Sequence, residues 1–349
     1  MRVALVKQVL DVFGPWAGVK WSETSPEKLF EVWPGKAIFW ELTCLLQADW
    51  YIVPVSLEGE YIKDSVRKHP GRDRLIEQHT KNVTPVEAIP FEDYDLVISF
   101  DAILDITPKL PTVFAYHAQE HWDPLYPCSL RRPMPGYDLF LAHMMDAGGE
   151  LRSLPQAVPF PYLHDIQLVR TLFHPLRKEA AWVDWRVPMT LANRGLGDPW
   201  SSEADAALER LRAILKFDVR CRTGILSSRY AISDVPAWGD AAHYYRELAE
   251  CRYYIAVGRL AGAGQGLAEA AAVGCVCIGQ ADRPYHRLLC HPSCLCEDMA
   301  EMPRKFRLLR ENPDLQQEAL AWQDQNLKTH FVDVPLALLA RAIELKRKS

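Results

Sequence analysis

Apolar residues fall into short runs and spaced stripes that alternate from one end of the chain to the other. Runs too short for helices, and rich in β-branched and aromatic residues, predict buried strands. In the first half these are Arg2 to Lys7, Trp50 to Val55, Tyr94 to Phe100, Thr112 to Tyr116 and Tyr137 to Ala142. In the second half they are Val187 to Ala192, Phe217 to Cys221, Arg252 to Val257 and Cys275 to Gly279. Spaced apolar positions predict helices over Lys36 to Leu46, Ser201 to Ile214, Leu267 to Val273, Pro303 to Arg310, Gln316 to Lys328 and Phe331 to Lys348, and another ending near Cys251. Strands that read as continuous apolar runs are buried on both faces, which is the mark of a parallel sheet covered by helices. The expected fold class is α/β, with two Rossmann-like, doubly wound parallel-sheet domains.

At 349 residues the chain is longer than one core usually fills. The stretch from Pro155 to Pro188 is punctuated by prolines, each fixing φ and removing a donor, so it is expected to be poor in continuous elements and to hold the interdomain connection. The division this predicts is an N-terminal domain over 1–170, a linker over 171–186, a C-terminal domain over 187–328 and a terminal helix over 329–349.

Composition narrows the function. A formal net charge of −5 carries no footprint of a nucleic-acid binder. No apolar run has transmembrane length, and the strand-like start has no signal-peptide character, so a cytoplasmic protein is expected. That leaves room for peripheral membrane contact, and nothing in the residues fixes an oligomeric state. Nine cysteines, an odd number, fit free buried thiols in a reducing compartment rather than a disulfide framework. Cys275, Cys277, Cys290, His291, Cys294 and Cys296 are dense enough to raise zinc, yet Cys275 and Cys277 alternate inside an apolar strand, which favours thiols. Arg67 to Arg74 is a short basic cluster that reads as a solvated loop before an anion site.

Candidate chemistry concentrates between Tyr244 and Asp282. Gly258, Gly262, Gly264 and Gly266 crowd the positions after one predicted strand, an alanine-rich helix follows, and Gly274 stands where a helix wants its C-terminal glycine. Strand, glycine loop, helix, strand is a crossover whose loop turns backbone N–H groups toward a phosphate. One carboxylate, Glu269, stands inside the helix. A dinucleotide fingerprint is the other reading, with Asp282 as the ribose acid, but its third glycine belongs at position 267, which is leucine.

The run Ala261-Gly-Ala-Gly-Gln-Gly-Leu-Ala-Glu269-Ala-Ala-Ala-Val-Gly274-Cys-Val resembles the nucleotide-sugar site of GT-B glycosyltransferases, most of all glycosyltransferase family 4. Leu248 to Tyr254, with Leu267-Ala-Glu-Ala and Gly274-Cys-Val, is similar to exostosin-type transferases. The resemblance implies that the two domains face a central cleft, acceptor side first and donor side second, and that the terminal helix crosses back to the first domain, the other reading being simply the last helix of the second. It also implies a UDP-, GDP- or ADP-sugar as substrate, with no bound cofactor and no metal. Glu269 falls where the family grips the ribose, and Gly262, Gly264, Gln265, Gly266 and Leu267 fall on the nucleotide loop. Gly14, with Gly18, lies in the first loop, which in the family approaches the diphosphate.

His117 matches a histidine that reaches the donor sugar after the corresponding strand, and Arg194 matches the arginine that the first strand of the second domain delivers to the diphosphate. Two departures stand out. Ala261 replaces the glutamate that touches the donor sugar, and no lysine follows Arg194 before Lys216, leaving Arg222 or Arg259 to supply its charge. Family 4 implies retention of configuration with no protein base. The exostosin likeness implies inversion, which needs a base near the acceptor, and Glu120, His117 or Asp101 are available; both courses stay open. His117, Glu120 and His121 also carry zinc-ligand types, but lie in one loop without a distant partner. A binding protein that kept the fold without turnover, and an NAD-linked oxidoreductase, are the competing classes.

Overall fold

The computed structural model describes residues 1–8, 19–26, 28, 37–53, 84–100, 104, 106, 110–118, 136–142, 157–161, 163–173, 178–184, 186–191, 202–221, 241–258 and 265–348. Packing divides the chain into two compact units, Met1–Leu163 with Asp333–Ser349, and His164–Val332.

The first unit is built on β1 (Val3–Gln8), β2 (Asp49–Val53), β3 (Leu96–Phe100), β4 (Val113–Ala118), β5 (Leu139–Ala142) and β6 (Ala157–Pro159). They form one sheet in the order β2-β1-β3-β4-β5-β6, and every pair is parallel. All five positions of β3 are buried, which is why its sequence shows no alternation. One sheet face packs Ala4, Val6, Tyr51, Val53, Val97, Phe114, Tyr116 and Phe140 into a single core. The chain steps from β1 outward to β2, then returns so that β3 pairs with the other edge of β1. Strand order therefore reverses between β1 and β3.

The second unit holds β7 (Lys178–Val183), β8 (Asp218–Cys221), β9 (Cys251–Ile255), β10 (Val276–Gln280) and β11 (Leu295–Cys296). Their order is β11-β10-β9-β7-β8, again all parallel. Here the order reverses between β7 and β9. In open parallel sheets ligands bind outside the carboxyl ends of the strands at such a reversal. The helix Gln265–Val273 carries the chain from β9 to β10.

Two expectations are corrected. The segment from Pro155 to Pro188 is not poor in elements: it contains β6, the helix Ile166–Leu172, β7 and the start of another helix. That next helix, Arg186–Leu191, occupies the span where Val187 to Ala192 is predicted as a strand. A short apolar run fits a buried helix turn as well as a strand. Pro188 decides the matter, because its missing N–H is harmless in a first helical turn and would break a central ladder. The Asp184 carbonyl accepts from Val187 N–H at 2.8 Å and starts the helix. β7 takes the place in the sheet. The helix Pro284–Leu289, opening on proline, is an element the apolar spacing does not predict.

The C-terminal helical run passes from Pro313–Lys328 through a π-helical turn, Thr329–Asp333, into Val334–Lys348. Pro335 withholds the N–H that a regular helix would give to the carbonyl four residues back, and the chain widens just before it. Val334–Lys348 belongs to the first unit, where Lys346 Nζ donates to Asp138 Oδ1 at 2.7 Å and Arg347 pairs with Asp95. Among the described residues no helix is long and apolar enough to cross a membrane.

Candidate functional site

In the second unit the carboxyl ends of β9 and β10 are tied together by buried polar groups. At Gly258, just past β9, φ is 151°, a conformation that side-chain-bearing residues avoid. A Cβ there would also lie 2.8 Å from Thr190 Oγ1. Backbone therefore presses directly on the helix Arg186–Leu191. The Gly258 N–H donates to Gln280 Oε1 at 3.0 Å, and the Gln280 N–H donates to His286 Nδ1 at 2.9 Å. An imidazole that accepts at Nδ1 is neutral, with its proton on Nε2. The chain thus leaves β9 from a point held by hydrogen bonds.

The helix Gln265–Val273 opens against Tyr254, near the carboxyl end of β9. Its first turn has N–H groups with no partner inside the helix, and the positive end of the helix dipole faces the same way. Gly266 permits a close approach, since a Cβ there would overlap the Tyr254 hydroxyl and lie 3.8 Å from that of Tyr244. Both tyrosines are buried, and the Tyr244 ring meets Trp182 edge-on at 5.9 Å between centroids. Leu267 is buried, and its carbonyl accepts from the Cys277 thiol at 3.7 Å. Glu269 is only 4% exposed. A carboxylate brought that far out of water is retained where hydrogen-bond donors can meet it.

The helix ends as its sequence requires. Gly274 has φ 91°, its N–H donates to the Ala271 carbonyl at 2.9 Å, and the Cys275 N–H donates to Ala270 at 2.9 Å. This is the paired C-terminal closure that left-handed glycine makes possible.

In the first unit Lys7, Phe100 and His117 are aligned across β1, β3 and β4 at one register level. Lys7 and His117 are fully buried. The Lys7 ammonium lies 5.9 Å from the Phe100 ring centre, and the His117 ring lies 5.0 Å from Phe100 and 5.9 Å from Phe160. Burial, and then the Lys7 charge, push the His117 pKa down to about 3. His117 is therefore neutral at physiological pH. It lies within β4 among aromatic rings, rather than on the loop after the strand where the sequence resemblance sets it.

Gly14, Glu120, Arg194, Gly262 and Gly264 lie outside the described residues, as do Asp101, His121, Arg222, Arg259 and Ala261. Arg194 no longer follows a strand, because the element before it is helical. Cys275, Cys277, Cys290, Cys294 and Cys296 are buried free thiols, and burial raises Cys294 and Cys296 to about 12. Among the described residues no group of three His, Cys, Asp or Glu side chains could hold a metal ion. Tyr254, Gln280 and His286 are the neighbours of the site that sequence alone passes over, because each is named by a contact and not by a motif.

No protein-family model and no curated protein matches the chain. Among solved structures it is similar to Anabaena HepE in complex with UDP, with 12% identity, 100% of each chain covered and a TM-score of 0.51. It is also similar to the sucrose-phosphate synthase of Thermosynechococcus elongatus, at 11% identity, 99% and 98% coverage and a TM-score of 0.46. T4 phage β-glucosyltransferase with UDP and Mn2+ follows at 12% identity, 100% and 99% coverage and 0.42. At such identities the likeness is one of fold. Two Rossmann-like units, each a parallel sheet with a strand-order reversal, place the chain in the GT-B architecture.

Proposed function

We propose that this chain is a glycosyltransferase that moves a sugar from a UDP-, GDP- or ADP-sugar to an acceptor. The observation that carries this reading is the helix Gln265–Val273, which opens beside the strand-order reversal of the second sheet with Glu269 buried within it. Its N-terminal N–H groups suit the donor diphosphate, and Glu269 suits the ribose hydroxyls. HepE, whose fold this chain shares, is a UDP complex, which makes uridine the first base to try.

The chemistry balances in either stereochemical course. The bond from the anomeric carbon to the diphosphate oxygen breaks and a bond to the acceptor oxygen forms. The acceptor proton passes to the departing diphosphate or to a protein base. N–H dipoles aimed at the leaving oxygens act where negative charge grows, and so lower the barrier. A base with a pKa near 3 takes a proton reluctantly, so in an inverting course Glu120 is preferred to His117. Ala261 and the absent lysine favour a second reading, a nucleotide-sugar binding protein without turnover.

The test is thermal unfolding with UDP-, GDP- and ADP-glucose and with NAD(H), followed by a donor-hydrolysis assay on whatever binds. A nucleotide sugar at 100 times its Kd should stabilise the fold by about 2.7 kcal/mol. Stabilisation by NAD(H) alone would overturn the proposal. A nucleotide sugar bound without hydrolysis or transfer would leave the second reading.

A further inference from the structure

The helix that carries Glu269 is held at its C-terminal end by a side chain from elsewhere in the unit. Arg170, on the helix Ile166–Leu172, donates from Nε to the Ala272 carbonyl at 3.0 Å and from Nη2 to the Ala271 carbonyl at 3.2 Å. The same guanidinium meets Asp324, on the helix Pro313–Lys328, through Nη1 at 2.9 Å and Nη2 at 2.6 Å. A planar fork can satisfy two helix carbonyls and a carboxylate together, which a lysine cannot do.

As an ion pair this contact is worth little, because the Arg170 and Asp324 side chains are 31% and 43% exposed. Its value lies in where it acts. Gly274 and Cys275 already close on Ala271 and Ala270, and Arg170 takes the Ala272 carbonyl, with a cation at the negative end of the helix dipole. Between its ends the helix presents Ala268, Ala270, Ala271 and Ala272, all fully buried, whose short side chains offer little resistance to rotation or sliding. Gly266 against Tyr254 fixes one end, and Arg170 fixes the other.

We infer that Arg170, braced by Asp324, is a positioning residue for the nucleotide site, setting the rotation and axial position at which the helix presents Glu269. This rests on the proposed donor site. A misplacement of about 1 Å far from the chemistry can cost about 100-fold in rate, so the anchor bears on function without touching ligand.

The experiment is a double-mutant cycle read by calorimetry with UDP. Arg170→Met should weaken UDP binding about tenfold in the parent and by less than about twofold in the Glu269→Gln background, since the anchor acts through Glu269. Arg170→Lys should recover only part of the loss. Asp324→Asn should move affinity in the same direction by a smaller factor, and it carries the test if Arg170→Met does not fold. Equal losses in both backgrounds would mean that Arg170 acts on binding by a route other than Glu269 and would overturn the inference, as would unchanged affinity in the variants, which would leave Arg170 a role in stability alone. Absence of UDP binding by the parent would instead overturn the donor-site reading, and this inference with it.

Discussion

The two sheets share one topological device, a reversal of strand order, and finish it with opposite materials. Beside the reversal of the first sheet, Lys7 and His117 are enclosed by Phe100 and Phe160, and all four side chains are fully buried. Beside that of the second sheet stand glycine, alanine and one buried glutamate, with two tyrosine hydroxyls at a helix start. Rings exclude water, and that burial, with the Lys7 charge, holds His117 neutral. Small residues bring backbone N–H groups within reach of whatever lies outside the strand ends. Under the proposed function, the second finish is the one that suits a diphosphate.

The largest effect that sharpens this contrast is expected at Glu269. Glu269→Gln keeps the shape and removes the charge, so UDP affinity should fall by about 1.5–3 kcal/mol, the scale of a charge-assisted hydrogen bond lost from a buried acceptor. Calorimetry with UDP, alongside a melting curve that stays near the parent's, measures it. A variant that binds UDP as the parent does would take Glu269 out of the site and leave the second sheet no more specialised than the first.

A smaller effect is expected at Gly266. Gly266→Ala drives a methyl into the Tyr254 hydroxyl, and overpacking of this kind costs about 1–3 kcal/mol of stability. Tyr254→Phe removes the atom that is struck. The double variant should therefore recover most of the loss in urea unfolding, whereas additive losses would place the collision elsewhere.

Much of this architecture is legible in the sequence, for a physical reason. Parallel strands are buried on both faces, so runs such as Leu96–Phe100 and Val276–Gln280 declare themselves without alternation. The glycine loop and Gly274 declare the helix between β9 and β10 in the same way. β7 stays hidden because only Trp182 and Val183 of its six residues are of the aromatic and β-branched types that mark a strand, while the apolar run after it belongs to a helix. Site chemistry is less legible, since it depends on register and on distant partners. Arg170 meets carbonyls about a hundred positions away, which no local pattern encodes. The character of His117 follows from Lys7 and Phe100, which become its neighbours only once three strands are aligned.

That alignment gives the most diagnostic prediction. The folded chain holds His117 near pKa 3, against an ordinary value of 6.5. Between these limits the unfolded chain takes up a proton that the folded chain refuses, so stability is complete above about pH 6.5 and declines as pH falls toward 3. One such group contributes a slope of up to about 1.4 kcal/mol per pH unit. His117→Phe, an aromatic replacement among aromatic neighbours, should remove that component, leaving a flatter dependence in urea unfolding between pH 7 and pH 4.5. Lys7→Met should narrow the window from below, because the nearby ammonium is part of what opposes the imidazolium. If parent and His117→Phe follow parallel curves, the imidazole takes its proton in the folded state. The first sheet would then hold an accessible base beside its reversal, and the contrast with the second sheet would fail.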